Sequence, residues 1–324
     1  MSLKGSEREF IFSLYLKEHK SILEDIVGRG LTDLLLESYW QGYKFDLAGY
    51  DVEKGIPVIA EVWLGKTGGY HQERFLNLME TLEEGALLLY LALGFQVNHV
   101  RELEQHVSRS DNPIKLLLVR INDQVKDPLE TLNSMNKLDI YDSLGLLDEV
   151  PKPLRIVTTI EHPHYKLLSP KPVPNNHDFD FSKRADVNRY VLYRLREAVP
   201  NFLPLQREKH FDEEKPNSTI MLGGGRTGVQ FFVSARNRRN QAFIELRFDQ
   251  SNTELFQLFA MKPWLLREKI DERVKVGDNT IGCYFKVCDT LEATTDQLTL
   301  IFSGMVNAIS YPLFDIFRYE YQMV

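Results

Sequence analysis

The sequence predicts an α/β domain built on a mixed sheet, followed by a smaller α+β domain. The chain has 324 residues, more than a single domain usually holds. Helix and strand patterns alternate up to residue 121, as they do in an α/β layer, and a proline-rich stretch then separates them from a second series of elements. We therefore predict a first domain at 1–159, a linker at 160–184 and a second domain at 185–324.

The first domain is predicted to begin with a helix that ends at Gly28. Ser6 can cap this helix, Glu9 lies at its third position, and apolar residues recur at helical spacing between Phe10 and Leu23. The other elements follow from alternating or continuous apolar runs bounded by turn residues. They are strands at 34–39, 45–50, 57–64, 86–92, 114–121 and 154–159, and helices at 70–83 and 97–108.

The same patterns define the second domain. Helices are predicted at 185–199, 254–273 and 295–318, the second of them broken near Pro263, and strands at 218–222, 229–235, 241–248 and 280–287. The glycine-rich stretch 223–228 lacks the Gly-Lys-Ser/Thr ending of a phosphate loop and lies between two predicted strands. A hairpin turn is therefore the favoured interpretation.

Composition indicates a soluble, cytoplasmic protein with no membrane partner. No apolar run approaches the length of a bilayer span, and the N-terminus lacks the charged-then-apolar pattern of a signal peptide. Only Cys283 and Cys288 occur, too few for a disulfide framework or a four-thiolate zinc site.

The two halves of the chain differ in charge. Residues 1–150 hold 15 Lys and Arg against 25 Asp and Glu, a net charge of −10, whereas residues 151–324 carry +3. Because local positive potential attracts phosphates, we assign nucleic-acid binding to the second half. The candidate residues are Arg226, Arg236, Arg238 and Arg239, although charge runs are also typical of solvated surfaces.

Two acidic residues stand on the strands of a predicted hairpin, Asp46 on the first and Glu61 on the second. If the turn is centred on Glu53 and Lys54, residues whose numbers sum to 107 lie opposite each other, and these two acids form such a pair. Facing like charges destabilise an antiparallel pair, whereas Mg²⁺ takes one or two carboxylates as ligands. The hairpin thus predicts a metal site. The alternative is that Asp46 starts its strand at the solvent boundary and Glu61 faces water at an edge.

The order of elements and acids, with Glu on the first helix, Asp on the second strand and Glu on the third, resembles the PD-(D/E)xK restriction-endonuclease-like superfamily. The stretch from Glu61 to His71 is similar to that of a group of uncharacterised bacterial proteins, which read roughly Glu-Asn-Gln-Leu-Gly-Arg-Thr-Asp there. Residues 242–248 and 265–270 resemble the C-terminal domain of unknown function in that group. The resemblance implies a restriction-endonuclease-like N-terminal domain that uses Mg²⁺ or Mn²⁺ to hydrolyse phosphodiester bonds of nucleic acid, DNA being favoured, in restriction or defence.

The resemblance also assigns roles to single residues. Asp46 and Glu61 match the metal-binding carboxylates, and Glu9 matches the acid of the N-terminal helix. Trp63 stands where the superfamily has its Lys, and an indole cannot supply a positive charge to the attacking water or the phosphate.

Two nearby residues are candidates to replace the missing Lys. Lys66 belongs to the following turn, and His71 at the start of the next helix is a candidate general acid, base or phosphate contact. The alternatives are a solvated turn lysine and a histidine that only forms hydrogen bonds at the helix start.

Three functions follow from this sequence. The first is an active metal-dependent endonuclease, for which a homodimer is one expected assembly because such nucleases often dimerise to cut two strands. The second is a catalytically silent nuclease fold that binds nucleic acid or protein. The third is a C-terminal domain that senses a nucleotide or small ligand and gates the N-terminal one.

Overall fold

The computed structural model of the chain describes residues 4–40, 43–173 and 178–315, without the side chains of residues 4–6, 40, 69–71 and 74. Contacts within the chain divide it into two compact units. The N-terminal unit comprises Met1–Met135, Asp142–Asn176 and Arg207–Lys209, and the C-terminal unit comprises Asn136–Tyr141, His177–Gln206 and His210–Val324. The predicted linker at 160–184 stays a prediction.

Helices flank a six-stranded sheet in the described part of the N-terminal unit. The helices are α1 (Lys4–Glu18), α2 (Ser21–Val27), α3 (Gly69–Glu80), α4 (Val97–Arg109) and α5 (Lys126–Ser134). The strands are β1 (Leu31–Leu36), β2 (Tyr39–Trp40), β3 (Tyr43–Lys44), β4 (Leu47–Asp51), β5 (Pro57–Lys66), β6 (Ala86–Gly94), β7 (Ile114–Ile121) and β8 (Leu154–Glu161). β2 and β3 pair with each other as a short two-stranded ribbon.

The strand order of the large sheet is β1-β4-β5-β6-β7-β8. The first three strands form an antiparallel meander, β5, β6 and β7 run parallel, and β8 returns antiparallel to β7. Helices α3 and α4 make the two parallel crossovers. The predicted α/β layer with a mixed sheet is therefore confirmed.

One face of this sheet packs against α3 and α4. Phe75 and Met79 of α3 and Leu103 of α4 share a buried core with Ile59 of β5 and Tyr90 of β6. Because successive side chains of a strand point to opposite faces, Glu61 and Trp63 project from β5 on the same side as Ile59. α1 also packs against β5, as well as against α5. β5 therefore packs both in the core that α3 and α4 share and against α1.

Several boundaries differ from the prediction. The first helix is two helices, since the chain turns at His19 and Lys20 before α2, and Gly28 then ends α2 in the left-handed conformation with φ 73°. β1 starts three residues before the predicted strand at 34–39. Helix α5 was not predicted, because its nine residues follow a single 3₁₀ turn and give too short a periodic pattern.

The described part of the C-terminal unit contains a second, five-stranded sheet that is antiparallel throughout. Its helices are α6 (Arg184–Ala198), α7 (Leu203–Gln206), α8 (Thr253–Ala260), α9 (Pro263–Lys269) and α10 (Leu291–Met305). Its strands are β9 (Ile220–Gly223), β10 (Val229–Ser234), β11 (Gln241–Phe248), β12 (Val274–Val276) and β13 (Thr280–Lys286), in the order β12-β13-β11-β10-β9. This unit matches the predicted α+β class.

Local predictions for this unit are largely confirmed. The break between α8 and α9 falls at Pro263, and residues 224–228 connect β9 to β10 as a hairpin turn. The last helix begins four residues before predicted Thr295 and continues past α10 as a π-helical segment, Val306–Ser310. Its predicted end at Arg318 lies outside the described residues.

The turn of the β4–β5 hairpin is held from two sides. The fully buried carboxylate of Asp51 accepts hydrogen bonds from the backbone N–H groups of Glu53 (2.7 Å) and Lys54 (3.1 Å) and pairs with the Arg29 guanidinium at 2.7 Å. Gly55 has φ 62°, and a Cβ there would lie 2.0 Å from the Lys171 carbonyl oxygen. Only glycine fits this position.

A short return of the chain also belongs to the N-terminal unit. Arg207 bridges the backbone of Leu36 in parallel fashion, pairs with the Glu37 carboxylate at 2.7 Å and lies 4.1 Å above the Phe10 ring. A guanidinium stacked on an aromatic ring is a favourable contact. Arg207 therefore packs on α1 at Phe10, the residue that follows Glu9.

Candidate metal and phosphate site

The predicted register of the hairpin is confirmed. Leu47 faces Ala60 and Gly49 faces Val58, so that facing residues sum to 107. The ladder starts at Leu47, and Asp46 lies in a bend just before β4. The next position along β5, beyond the last ladder pair, is Glu61.

Beyond this point β5 continues without β4, and carboxylates bind its backbone instead. The Val62 N–H donates to Asp46 Oδ2 at 2.8 Å, and the Leu64 N–H donates to Glu9 Oε1 at 3.1 Å. Asp46 comes from the bend before β4 and Glu9 from α1. Two acids from distant parts of the sequence therefore line the edge of β5 next to Glu61.

The electrostatics of Glu9 reflect this crowding. Burial raises the pKa of Glu9 to about 7, the hydrogen bond from Leu64 opposes that rise, and the negative charge of Asp46 adds to it more than Arg8 offsets. Close like charges disfavour joint ionisation. Glu9 and Asp46 thus share a negative site that a cation would stabilise.

Glu61 lies against Tyr90, its partner in the parallel β5–β6 ladder. Burial, and then the charge of Glu61, raise the pKa of the Tyr90 hydroxyl, which therefore stays protonated. Both residues line a cavity of about 20 Å³. The other lining residues are Tyr43, Phe45, Val62, Trp63, Phe75 and Leu78.

Trp63 and Lys66 both lie in the last four residues of β5. The Trp63 indole donates its Nε1–H to the carbonyl oxygen of Lys66, three residues further along β5, at 2.9 Å. The Lys66 side chain is exposed at the strand end. The backbone of His71 lies in the first turn of α3, and its side chain lies outside the described residues.

No group of three or more His, Cys, Asp and Glu is arranged to hold a metal ion within the part of the chain that the structure describes. The donors at this end of β5 are carboxylate oxygens, which suit Mg²⁺, an ion that often binds through one or two protein carboxylates and keeps several waters. The donor chemistry therefore fits Mg²⁺ bound by two residues. It does not fit a cage of protein ligands.

Sequence reasoning missed a polar cluster beyond the carboxyl ends of β5 and β6. Thr67 is fully buried, and its hydroxyl contacts His99 Nδ1 at 3.1 Å and accepts the Gln96 N–H at 3.2 Å. Gln72 of α3 is also buried and donates to the Glu102 carboxylate of α4. No sequence signal pairs these residues, because the contacts depend on how α4 lies against α3 and against the end of β5.

The four candidate arginines do not form one cluster. Arg226 lies in the β9–β10 turn, whereas Arg236, Arg238 and Arg239 follow β10 at its other end. The six residues of β10 separate these positions by roughly 20 Å.

Arg184, at the start of α6, joins the second group. Its guanidinium donates to the Arg236 carbonyl oxygen and to the Ser218 carbonyl oxygen at 3.2 Å. Burial lowers the pKa of Arg184, and the charge of Arg236 lowers it further. Arg184, Arg236, Arg238 and Arg239 are called the arginine turn below.

Asn237 fixes the conformation of the arginine turn. Its side-chain oxygen accepts the backbone N–H groups of Arg239 at 2.9 Å and Gln241 at 3.0 Å. Arg236, Arg238 and Arg239 are all exposed. The turn therefore presents several positive charges to solvent from a defined backbone.

Comparison of the chain with models of protein families, with curated proteins and with solved structures gave no significant match. None of the helices in the described ranges has the length and apolar character needed to cross a membrane.

Proposed function

We propose that this protein is a Mg²⁺-dependent nuclease-like hydrolase of phosphodiester bonds in nucleic acid, with a role in restriction or defence. The observation that carries the proposal is the set of carboxylates at one end of β5. Asp46 and Glu9 bind adjacent outward N–H groups there, beside Glu61. The meander followed by a parallel crossover also supports a restriction-endonuclease-like arrangement of the N-terminal unit.

The residues divide the chemistry between them. Asp46 and Glu61 would hold the ion, which when bound lowers the pKa of water and neutralises developing phosphoryl charge. Burial raises the pKa of Glu9 to about 7 in the absence of the ion. A bound ion would favour the ionised carboxylate, the form that can accept a proton. The backbone N–H groups of Val62 and Leu64 orient the Asp46 and Glu9 carboxylates.

Cleavage assays on the full chain test this proposal. Duplex DNA, single-stranded DNA and RNA are incubated with Mg²⁺ or Mn²⁺, and cleavage is expected to fall at least about 100-fold in Asp46→Asn and in Glu61→Gln. Glu53→Gln is the matched control, because Glu53 is a mostly exposed acid at the other end of the same hairpin. Metal-replete protein that cleaves none of these substrates would overturn the proposal.

A second function is favoured by one observation, the indole of Trp63 at the position of the superfamily lysine. Its N–H is committed to the Lys66 backbone, and the Lys66 side chain points to solvent. A catalytically silent fold would then bind nucleic acid or protein with little dependence on Mg²⁺. Binding of labelled DNA that is unchanged by chelation, together with cleavage gained in Trp63→Lys, would identify this case.

The arginine turn is the proposed contact for the nucleic-acid backbone. Each phosphate neutralised by a basic residue contributes about 0.9 to the slope of log binding constant against log salt for duplex DNA. We expect Arg236→Gln/Arg238→Gln/Arg239→Gln to weaken DNA binding and to reduce this slope by about 2 to 3. Arg226→Gln, at the other end of β10, is the comparison variant, and an equal loss from that single change would show that the contact lies elsewhere.

A further inference from the structure

The hydroxyl of Tyr90 is a buried polar group without a partner among the described residues. Tyr90 lies within β6 with 2% of its surface exposed, and its oxygen forms no hydrogen bond in this part of the chain. The ring is fixed by Phe75, stacked at 4.8 Å, and by Phe95, edge-on at 5.6 Å. These two ring contacts hold the side chain in one orientation.

An unsatisfied buried hydroxyl is destabilising, and buried polar groups are nearly always satisfied by protein or by ordered water. Tyr90 borders the cavity of about 20 Å³ described above. Roughly 10–15 Å³ suffices for one water molecule, provided that at least two polar groups can bind it. Two of the residues that line this cavity, Glu61 and Tyr90, carry a polar group on the side chain.

We propose that this cavity binds one ordered water molecule between Tyr90 and Glu61, and that Tyr90 is a positioning residue for the Glu61 carboxylate. The protonated Tyr90 hydroxyl donates to the water oxygen, and the water donates one of its hydrogens to Glu61. This chain satisfies the hydroxyl and fixes one side of the carboxylate.

The position of the two residues supports this assignment. Glu61 and Tyr90 face each other in the β5–β6 ladder, and Trp63, in the place of the superfamily lysine, lines the same cavity. The neutral Tyr90 hydroxyl, acting through the water, thus provides a hydrogen-bond donor at a site where Trp63 replaces the superfamily lysine. The water site stands independently, whereas the positioning role of Tyr90 rests on the proposed function.

A double-mutant cycle on the full chain tests the water site without any activity. The unfolding of wild type, Tyr90→Phe, Glu61→Gln and the double variant is followed in urea. We expect Tyr90→Phe to lower the folding equilibrium constant about fivefold in the wild-type background, the size of one net hydrogen bond, and by a clearly smaller factor when Glu61 is Gln. Tyr90→Phe retains the ring, so its packing against Phe75 and Phe95 is preserved.

Tyr15 provides the matched control. It is equally buried, and its hydroxyl donates directly to the Asp148 carboxylate at 3.0 Å. Tyr15→Phe is expected to lower the folding constant by a similar factor, which Glu61→Gln leaves unchanged. A Tyr90→Phe variant as stable as wild type or more stable, or an equal effect in both backgrounds, would overturn the water site.

The positioning role is read from cleavage kinetics and Mg²⁺ titration. Tyr90→Phe is expected to lower kcat about tenfold with little change in KM, and to weaken Mg²⁺ binding measured by calorimetry. Unchanged kcat and Mg²⁺ affinity would overturn the positioning role while the cycle still decides the water site. Absence of cleavage and of Mg²⁺ binding in wild type would overturn the proposed function, and the positioning role with it.

Discussion

Strand β4 ends at one aspartate, Asp51, and is preceded by another, Asp46, and the two lie in different surroundings. Asp51, at the turn, is fully buried and pairs with Arg29 while two backbone N–H groups bind its other oxygen. Asp46, at the opposite end, lies half-buried, accepts one N–H from β5 and acts on the acid Glu9 as a like charge.

This difference separates a structural carboxylate from a candidate functional one. A buried acid that is matched by a guanidinium and by N–H donors stabilises the turn, because its charge is already compensated. An acid beside a second acid is costly for the fold and is a common feature of sites that bind ions or transfer protons. The same substitution is therefore expected to change stability much more at Asp51 than at Asp46.

The largest expected effect is on the free energy of unfolding. Asp51→Asn should destabilise the protein by about 2–4 kcal/mol, because it removes the closest counter-charge of the partly buried Arg29 and places an amide against two N–H donors. Asp46→Asn should change it by less than about 1 kcal/mol, since the weaker hydrogen bond to Val62 is offset by reduced repulsion with Glu9. Urea unfolding of both variants, with circular dichroism to check their folds, measures the pair. Equal costs at the two positions would break the distinction.

A smaller effect is expected in the pH dependence of stability. The pKa of Glu9 rises from 4.5 to about 7 in the folded protein, so the folded state holds its proton more tightly than the unfolded chain does. The stability that Glu9 contributes is therefore complete below pH 4.5 and is lost as pH rises to about 7. With allowance for the solvent that reaches a half-buried group, the loss is roughly 1–2 kcal/mol.

Glu9→Gln isolates this contribution. The difference in unfolding free energy between wild type and the variant is measured from pH 4 to pH 8. It should change between pH 4.5 and about pH 7 and be flat below and above that range. Added Mg²⁺ sharpens the test, because a cation bound beside Glu9 favours its ionised form and should reduce the change. A difference that does not vary with pH would show that Glu9 is solvated like an ordinary glutamate.

Much of this arrangement could be predicted from the sequence, because local patterns determine it. The register of the β4–β5 hairpin follows from a polar turn between apolar strands, and it predicted Asp46 and Glu61 as facing residues of that hairpin. The buried runs of β6 and β7 were equally clear, since parallel strands covered on both faces are continuously apolar. These features depend on residues close together in the chain.

Features that depend on distant contacts could not be predicted. The β4–β5 ladder ends at Leu47, one residue before the predicted Asp46–Glu61 pair would form. The Asp46 carboxylate instead accepts a hydrogen bond from the Val62 N–H. Tyr90 belongs to an apolar run, where nothing marks its hydroxyl as lacking a partner. The arginines of the second half were grouped by sequence proximity, but the length of β10 separates Arg226 from the others.

The position of Arg207 determines which fragments contain the whole N-terminal unit. Any fragment that stops within 160–184 omits this residue, and with it the ion pair to Glu37 and the cation stacked on Phe10. The helix that carries Glu9 would then lose a support contributed from far along the chain. Inactivity of such a truncated protein would therefore say nothing about the chemistry of its acids. A fragment that extends through Lys209 contains all three segments of the N-terminal unit.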